Sequence, residues 1–185
     1  MLSRAMGMET SPFRATVLIV DDEEDVRNSL GHALWKSDYR LCFAAGSVAA
    51  LRTLGEEQVD VVISDNAMPG MSGLEFLKIV RDRYPQVVRI ILSGHADMTT
   101  LLDAINQGEL YRFLLKPCDR DELLVTLHLA CERLELEREN RYLLSLIRSH
   151  PDLVQQLEEE EIRRRASARA VTALLPLEKQ GSAHR

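Results

Sequence analysis

The stretch VVISDNAMPGMSGLEFL, residues 61–77, ends an apolar run on an aspartate, follows it with a Pro/Gly loop and then opens a helical pattern. An apolar run of strand length without alternation belongs to a strand buried on both faces, so Asp65 leaves the sheet at the carboxyl end of its strand. In open α/β sheets that edge is where ligands bind. The carboxylate therefore either caps a turn or takes part in chemistry.

The same alternation extends in both directions. ATVLIV (15–20), YRLCFAA (39–45), VDVVIS (59–64), VVRIILS (87–93) and LYRFLL (110–115) read as strands. Val26, Leu30, Ala33 and Leu34 stripe a first helix. Ser47 is placed to cap a second, which carries Val48, Leu51 and Leu54, and Ser72 a third, with Leu74, Leu77 and either Ile79 or Val80 inward. Leu101, Leu102 and Ile105 stripe a fourth, and a fifth starts near Asp119, which has capping-box spacing to Glu122. Strand–helix units joined by right-handed crossovers give a parallel sheet covered on both sides. The expected class is α/β, a five-stranded parallel sheet of flavodoxin-like order 2-1-3-4-5 with an extended C-terminal helical segment.

Polar residues gather at the strand ends. Asp21 and Asp22 end the first strand, Asp65 the third, Ser93 the fourth and Lys116 the fifth, whereas the second ends in AAGS and carries nothing. In the order 2-1-3-4-5 the second strand is an edge, far from the switch point between the first and third. Taken singly, each of these residues is more simply a turn or a cap. Together they describe a chemistry. Converging carboxylates repel one another unless a hard divalent cation such as magnesium binds among them through oxygen. An aspartate can accept a phosphoryl group as an acyl phosphate, and a cation, an ammonium and a hydroxyl are the stabilisers that transfer requires. Lys116 and Ser93 fit those posts.

Composition sets the bounds. The 185 residues, 45% apolar and 28% charged, suffice for one sizeable core with length to spare. A net charge of -6 offers no global basic surface, which disfavours direct nucleic-acid binding. Cys42, Cys118 and Cys131 form no C-x-x-C or His/Cys cluster, so neither a disulfide framework nor a zinc site is implied. The N-terminus lacks an apolar core of signal-peptide length and no run approaches a membrane span, so the expected location is the cytoplasm, with no membrane partner.

From about Thr16 to Cys131 the chain resembles a bacterial two-component response-regulator receiver domain, on LIVDDEEDVR, ISDNAMPGMSGLEFL, IILSGHAD and YRFLLKPC in the order and near the spacing of that family. The resemblance implies that Asp65 is the phosphoacceptor. It also implies that Asp22 and Asp21 are the acidic pair holding Mg2+, Asp22 directly and Asp21 mainly through water, with Ala67 lending its backbone carbonyl. Ser93 takes the position of the switch hydroxyl, Phe113 of the switch aromatic and Lys116 of the phosphate-binding lysine, with Lys116-Pro117 cis. Strand alternation places Tyr111 on the same face as Phe113, and spacing from Lys116 favours Phe113 as the switch. His95 takes a position that borders the site and tunes loss of the acyl phosphate, and Ala67 the other such position. The implied partner is a histidine kinase or phosphotransfer protein. Such a domain catalyses only its own phosphorylation and dephosphorylation, so it is no enzyme toward other substrates.

Beyond the receiver, residues 122–149 run without Gly or Pro, about 40 Å of helix at 1.5 Å per residue. Leu129, Leu136 and Leu143 repeat every seven residues, with Arg133, Asn140 and Ile147 alternating in the seam, a pattern that predicts a coiled coil and a homodimer. After Pro151 a second helical stretch pairs Glu159, Glu160 and Glu161 with Arg163, Arg164 and Arg165 at i, i+4. The expected organisation is a flexible N-terminus over 1–14, the receiver over 15–132, a helical extension over 133–175 and a disordered tail over 176–185. SGHAD and ELYRFLLKPC are similar to receivers that precede cyclic-dinucleotide phosphodiesterase or ATPase modules, so the chain reads either as a receiver signalling through its helical tail or as a fragment of a longer protein that has lost its output domain. An aspartate-nucleophile phosphatase would carry D-x-D on one strand, a flavin site would be repelled by the acidic first loop, and an inert receiver-fold interaction module would take up no phosphoryl group.

Overall fold

The computed structural model describes residues 13–94, 98–150, 155, 159–160 and 162–166. In chain order the elements are β1 (Ala15–Val20), α1 (Glu24–Leu34), β2 (Tyr39–Ala44), α2 (Ser47–Glu56), β3 (Val61–Asp65), α3 (Gly73–Arg83), β4 (Val88–Ser93), α4 (Met98–Asn106), β5 (Arg112–Leu115) and α5 (Arg120–Ser149). The five strands are parallel and ordered β2-β1-β3-β4-β5. This is the expected flavodoxin-like sheet with its added C-terminal helix.

Period-two alternation divides the apolar residues between two cores. Leu18 and Val20 of β1, Val62 of β3 and Ile91 of β4 meet residues of α2, α3 and α4 on one face, with Phe76, Leu77 and Val80 fully buried. Val17 and Ile19, Ile63 and Leu92 meet α1 and α5 on the other, against Leu30, Leu34, Leu123 and Leu127. Each such side chain contributes about 1.5–3 kcal/mol of burial. Because β1, β3 and β4 are buried on both faces, their sequences are nearly unbroken apolar runs.

Register then sets where those strands stop. Val20 pairs with Ser64, Asp65 with Leu92 and Ser93 with Leu115. Asp21, Asp65, Ser93 and Lys116, each at or one residue past a strand end, consequently meet at a single edge of the sheet.

The structure corrects two details of the sequence reading. Ser47 is not the cap of α2: Gly46, at φ 126, is the N-cap, and Ser47 turns its hydroxyl away to donate to the Met71 carbonyl at 3.0 Å. Val48 is 63% exposed, and Ala50 and Leu54 supply the buried face of α2. Tyr111 packs with the α1/α5 core while Phe113 packs with the opposite one. The alternation fails because β5 begins only at Arg112, so the strand period does not reach back to Tyr111.

The chain divides into two compact units, residues 1–136 and 137–185. In the first unit α5 buries Leu123, Thr126, Leu127, Ala130, Cys131 and Leu134 at helical spacing. In the second, the α5 residues from Arg138 to Ser149 are all exposed, as are the described helical residues 155, 159–160 and 162–166. The expected flexible segment up to residue 12, the Leu101 side chain, Glu161 and the predicted tail lie outside the described residues. No helix among the described residues is long and apolar enough to cross a membrane.

Candidate functional site

β1 delivers Asp21 into the fold with 0% exposure. One carboxylate oxygen, Oδ1, accepts from the Glu23 N–H at 2.9 Å, and Oδ2 lies 2.9 Å from the Lys116 ammonium. Asp65, 5% exposed at the end of β3, places Oδ1 2.7 Å from the same ammonium and receives the Ala67 N–H on Oδ2 at 3.0 Å. Lys116 thus bridges two carboxylates from different strands. Asp22 is exposed at the mouth, and a carboxylate oxygen from each of Asp21, Asp22 and Asp65 lies within 4.8 Å of the others.

These residues fit a hard divalent cation. The donors are all oxygen, with no imidazole or thiolate in the group. Lys116 offsets one of the three negative charges and leaves two, the charge such an ion carries. Burial draws the Lys116 ammonium toward its neutral form, but its hydrogen bonds to Asp65 and Asp21, together with the negative charge of both carboxylates, outweigh that effect and hold its pKa above the ordinary 10.5. With a folded-state pKa raised in this way, the pairing contributes fully below that ordinary value and is lost as pH climbs through the folded one.

Ser93, 3% exposed at the end of β4, directs its hydroxyl to the Gly94 carbonyl at 3.1 Å. Phe113 is half-buried on β5 against the α2/α3/α4 core, and the Lys116-Pro117 peptide is cis. Asp21, Asp22, Asp65 and Lys116 therefore come together, while Ser93 ends the adjacent strand β4 and Phe113 lies on β5 beside it. His95 falls outside the described residues.

Three contributors escape the sequence reading. Gly73 opens α3 against the backbone of Asp65: a Cβ there would lie 1.9 Å from the Asp65 carbonyl oxygen. Arg27, one turn into α1, donates from Nη1 to the carbonyls of Asp21 at 2.6 Å and Asp22 at 3.1 Å. Ser47, from the supposedly empty end of β2, holds the loop after β3 through Met71. The glycine and the arginine stand within the very motifs that reveal the acidic residues, but only a fold shows what their atoms meet.

Comparison with known proteins agrees with this geometry. Residues 17–128 match the response regulator receiver domain family. A response regulator of Rickettsia bellii described as NtrX-like is 41% identical over 140 residues, covering 75% of this chain and 29% of that protein. The hydrogenase transcriptional regulatory protein HoxA of Cupriavidus necator is 36% identical over 144 residues, covering 77% and 30%. The chain thus spans about 30% of the length of these curated relatives. Among solved structures, the signal receiver domain of an HD domain-containing protein from Pseudomonas fluorescens superposes with a TM-score of 0.62 at 38% identity, covering 66% of this chain and 98% of that one. With the fold, the converged acidic residues and the lysine in place, the chain belongs to the response regulator receiver domains of two-component systems, which act catalytically only on themselves.

Proposed function

We propose that the chain takes a phosphoryl group from a histidine kinase or phosphotransfer protein onto Asp65 in the cytoplasm, and signals through a change in shape and in pairing with a second copy. The observation that carries this reading is the Lys116 ammonium held between Asp65 at 2.7 Å and Asp21 at 2.9 Å, beside the exposed carboxylate of Asp22. Asp22, Asp65, the Ala67 carbonyl and, mainly through water, Asp21 would hold Mg2+. Bound there, the ion neutralises the carboxylates and the charge on the transferring oxygens.

In the transfer, an Asp65 carboxylate oxygen attacks phosphorus and forms the acyl P–O bond. The donor's P–N bond breaks and its electron pair stays on the leaving imidazole nitrogen. Lys116 exchanges its contact with Asp65 for the incoming phosphoryl oxygens, whose charge it balances. Ser93 swings its hydroxyl from the Gly94 carbonyl to the phosphoryl group, vacating space for Phe113.

Incubation with magnesium and acetyl phosphate, read by intact mass, tests the assignment. The wild-type protein should gain one phosphoryl group, Asp65→Asn none, and Asp22→Ala should bind magnesium more weakly. Persistent labelling of Asp65→Asn by the same donor would remove Asp65 from the role.

A further inference from the structure

The helix that follows the acidic pair starts without the usual cap. Glu23 is the N-cap of α1 and makes no side-chain capping hydrogen bond. Two other contacts hold the turn instead. The Asp21 carboxylate accepts the Glu23 N–H at 2.9 Å, and half-buried Arg27 reaches back so that Nη1 donates to the Asp21 carbonyl at 2.6 Å and the Asp22 carbonyl at 3.1 Å. Nη1 carries two hydrogens, and one can go to each carbonyl. The two peptide units it grips are the ones that set the directions in which the carboxylates of residues 21 and 22 leave the backbone. Asp21 is fixed in addition by Lys116, whereas exposed Asp22 depends on the loop that carries it.

We infer that Arg27 is a positioning residue for the cation site: its guanidinium fixes the loop at residues 21 and 22, so that the Asp22 carboxylate is already directed at Asp21 and Asp65 when the ion arrives. The inference rests on the reading of this site as a magnesium-dependent phosphoacceptor. Two effects of the guanidinium oppose each other. As a positive charge beside a divalent site it disfavours the ion. As a forked donor on two carbonyls it removes the cost of ordering the loop on binding. Groups that orient metal ligands typically contribute about 10–100-fold in affinity, which exceeds what a partly solvated charge would return, so loss of the fork governs the sign.

Calorimetric titration of the unphosphorylated 185-residue chain with Mg2+ decides this. Arg27→Met, which keeps an apolar stem and removes the fork, should raise the magnesium Kd about tenfold. The magnesium concentration needed for half-maximal phosphorylation by acetyl phosphate should rise by the same factor. Arg27→Lys, which keeps the charge without the planar fork, should restore only part of the affinity. Urea denaturation confirms that each variant is folded, and Arg27→Gln stands in if the methionine variant is not. Unchanged or tighter magnesium binding by a folded fork-less variant, with Arg27→Lys equal to wild type, would show that the guanidinium acts only as a charge and would overturn the inference. Failure of the wild-type protein itself to bind magnesium would instead overturn the reading of the site, and the inference with it.

Discussion

A methyl group at position 73 would lie 1.9 Å from the Asp65 carbonyl oxygen, 2.8 Å from its carbon and 2.9 Å from the Asn66 Cα. All three obstacles are backbone, so no side chain can yield. The crowding has a purpose: the Gly73 N–H donates to the Asn66 carbonyl at 3.0 Å and the Leu74 N–H to the Asn66 side chain at 3.3 Å, which ties the start of α3 to the residue after the phosphoacceptor. In an open helix, alanine would be better than glycine by about 1 kcal/mol. Here the steric conflict is larger, and Gly73→Ala is expected to lower stability by about 1–3 kcal/mol as an overpacked site does. Urea unfolding of the two proteins measures the difference, and a stabilised alanine variant would contradict the close approach. The same displacement moves the Asp65 backbone, so phosphorylation by acetyl phosphate should also slow.

At the scale of elements, α3 and β5 carry the site in different ways. α3 is pinned at its start by a capping box in which the Glu75 N–H donates to the Ser72 hydroxyl oxygen at 3.3 Å while the Ser72 N–H donates to the Glu75 carboxylate at 2.9 Å. β5 is a short edge strand of four residues, paired on one side only, and such a strand can shift with little loss. The proposed signal uses this contrast: when Ser93 leaves the Gly94 carbonyl for a phosphoryl oxygen, half-buried Phe113 turns inward and β5 follows. Ser93→Ala should therefore still accept a phosphoryl group but lose the response beyond it. Hydrogen exchange over residues 95–120, before and after phosphorylation, reads this, and an equal response in Ser93→Ala and wild type would refute the coupling. The Ser72 cap was legible in the sequence because capping is a local rule. The central strands were legible because burial on both faces leaves an unmistakable apolar run. Ser47 was misread because the same local rule offered it as a cap, while its actual partner, the Met71 carbonyl, is 24 residues away and brought close only by the crossover. Tyr111 was misread because the strand period was extended one residue before the ladder with β4 begins at Arg112. The acidic residues and Lys116 could be placed since each ends a strand, but what the Arg27 guanidinium and Gly73 meet is backbone, and such contacts leave no trace in a side-chain pattern.

At the scale of the whole molecule, α5 carries apolar residues that the receiver does not bury. Leu136 is 67% exposed, Leu143 49% and Ile147 50%, and with Asn140 they continue the seven-residue seam begun at Leu129. Arg133, the residue that interrupts that seam in the sequence, lies with its guanidinium 5.4 Å from the centre of the Tyr111 ring, a cation–π contact within the receiver. The charge is thereby engaged where it stands, and the seam available to a second copy runs from Leu136 to Ile147. Exposed leucines at this spacing would lower the solubility of a lone helix, whereas pairing in parallel buries them and sets Asn140 against its own counterpart, which fixes register at some cost in stability. An antiparallel pair would leave each Asn140 facing an apolar residue. The expected state is a parallel homodimer in which α5, starting at Arg120 just past Lys116, carries a change at β5 into the pair. Asn140→Cys should cross-link 140 to 140 under mild oxidation, and Leu143→Lys should abolish both the cross-link in the Asn140→Cys background and the dimer seen by sedimentation. A wild-type protein that sediments as a monomer at micromolar concentration, with and without phosphorylation, would show that the leucines are covered within a single chain and would sink the dimer.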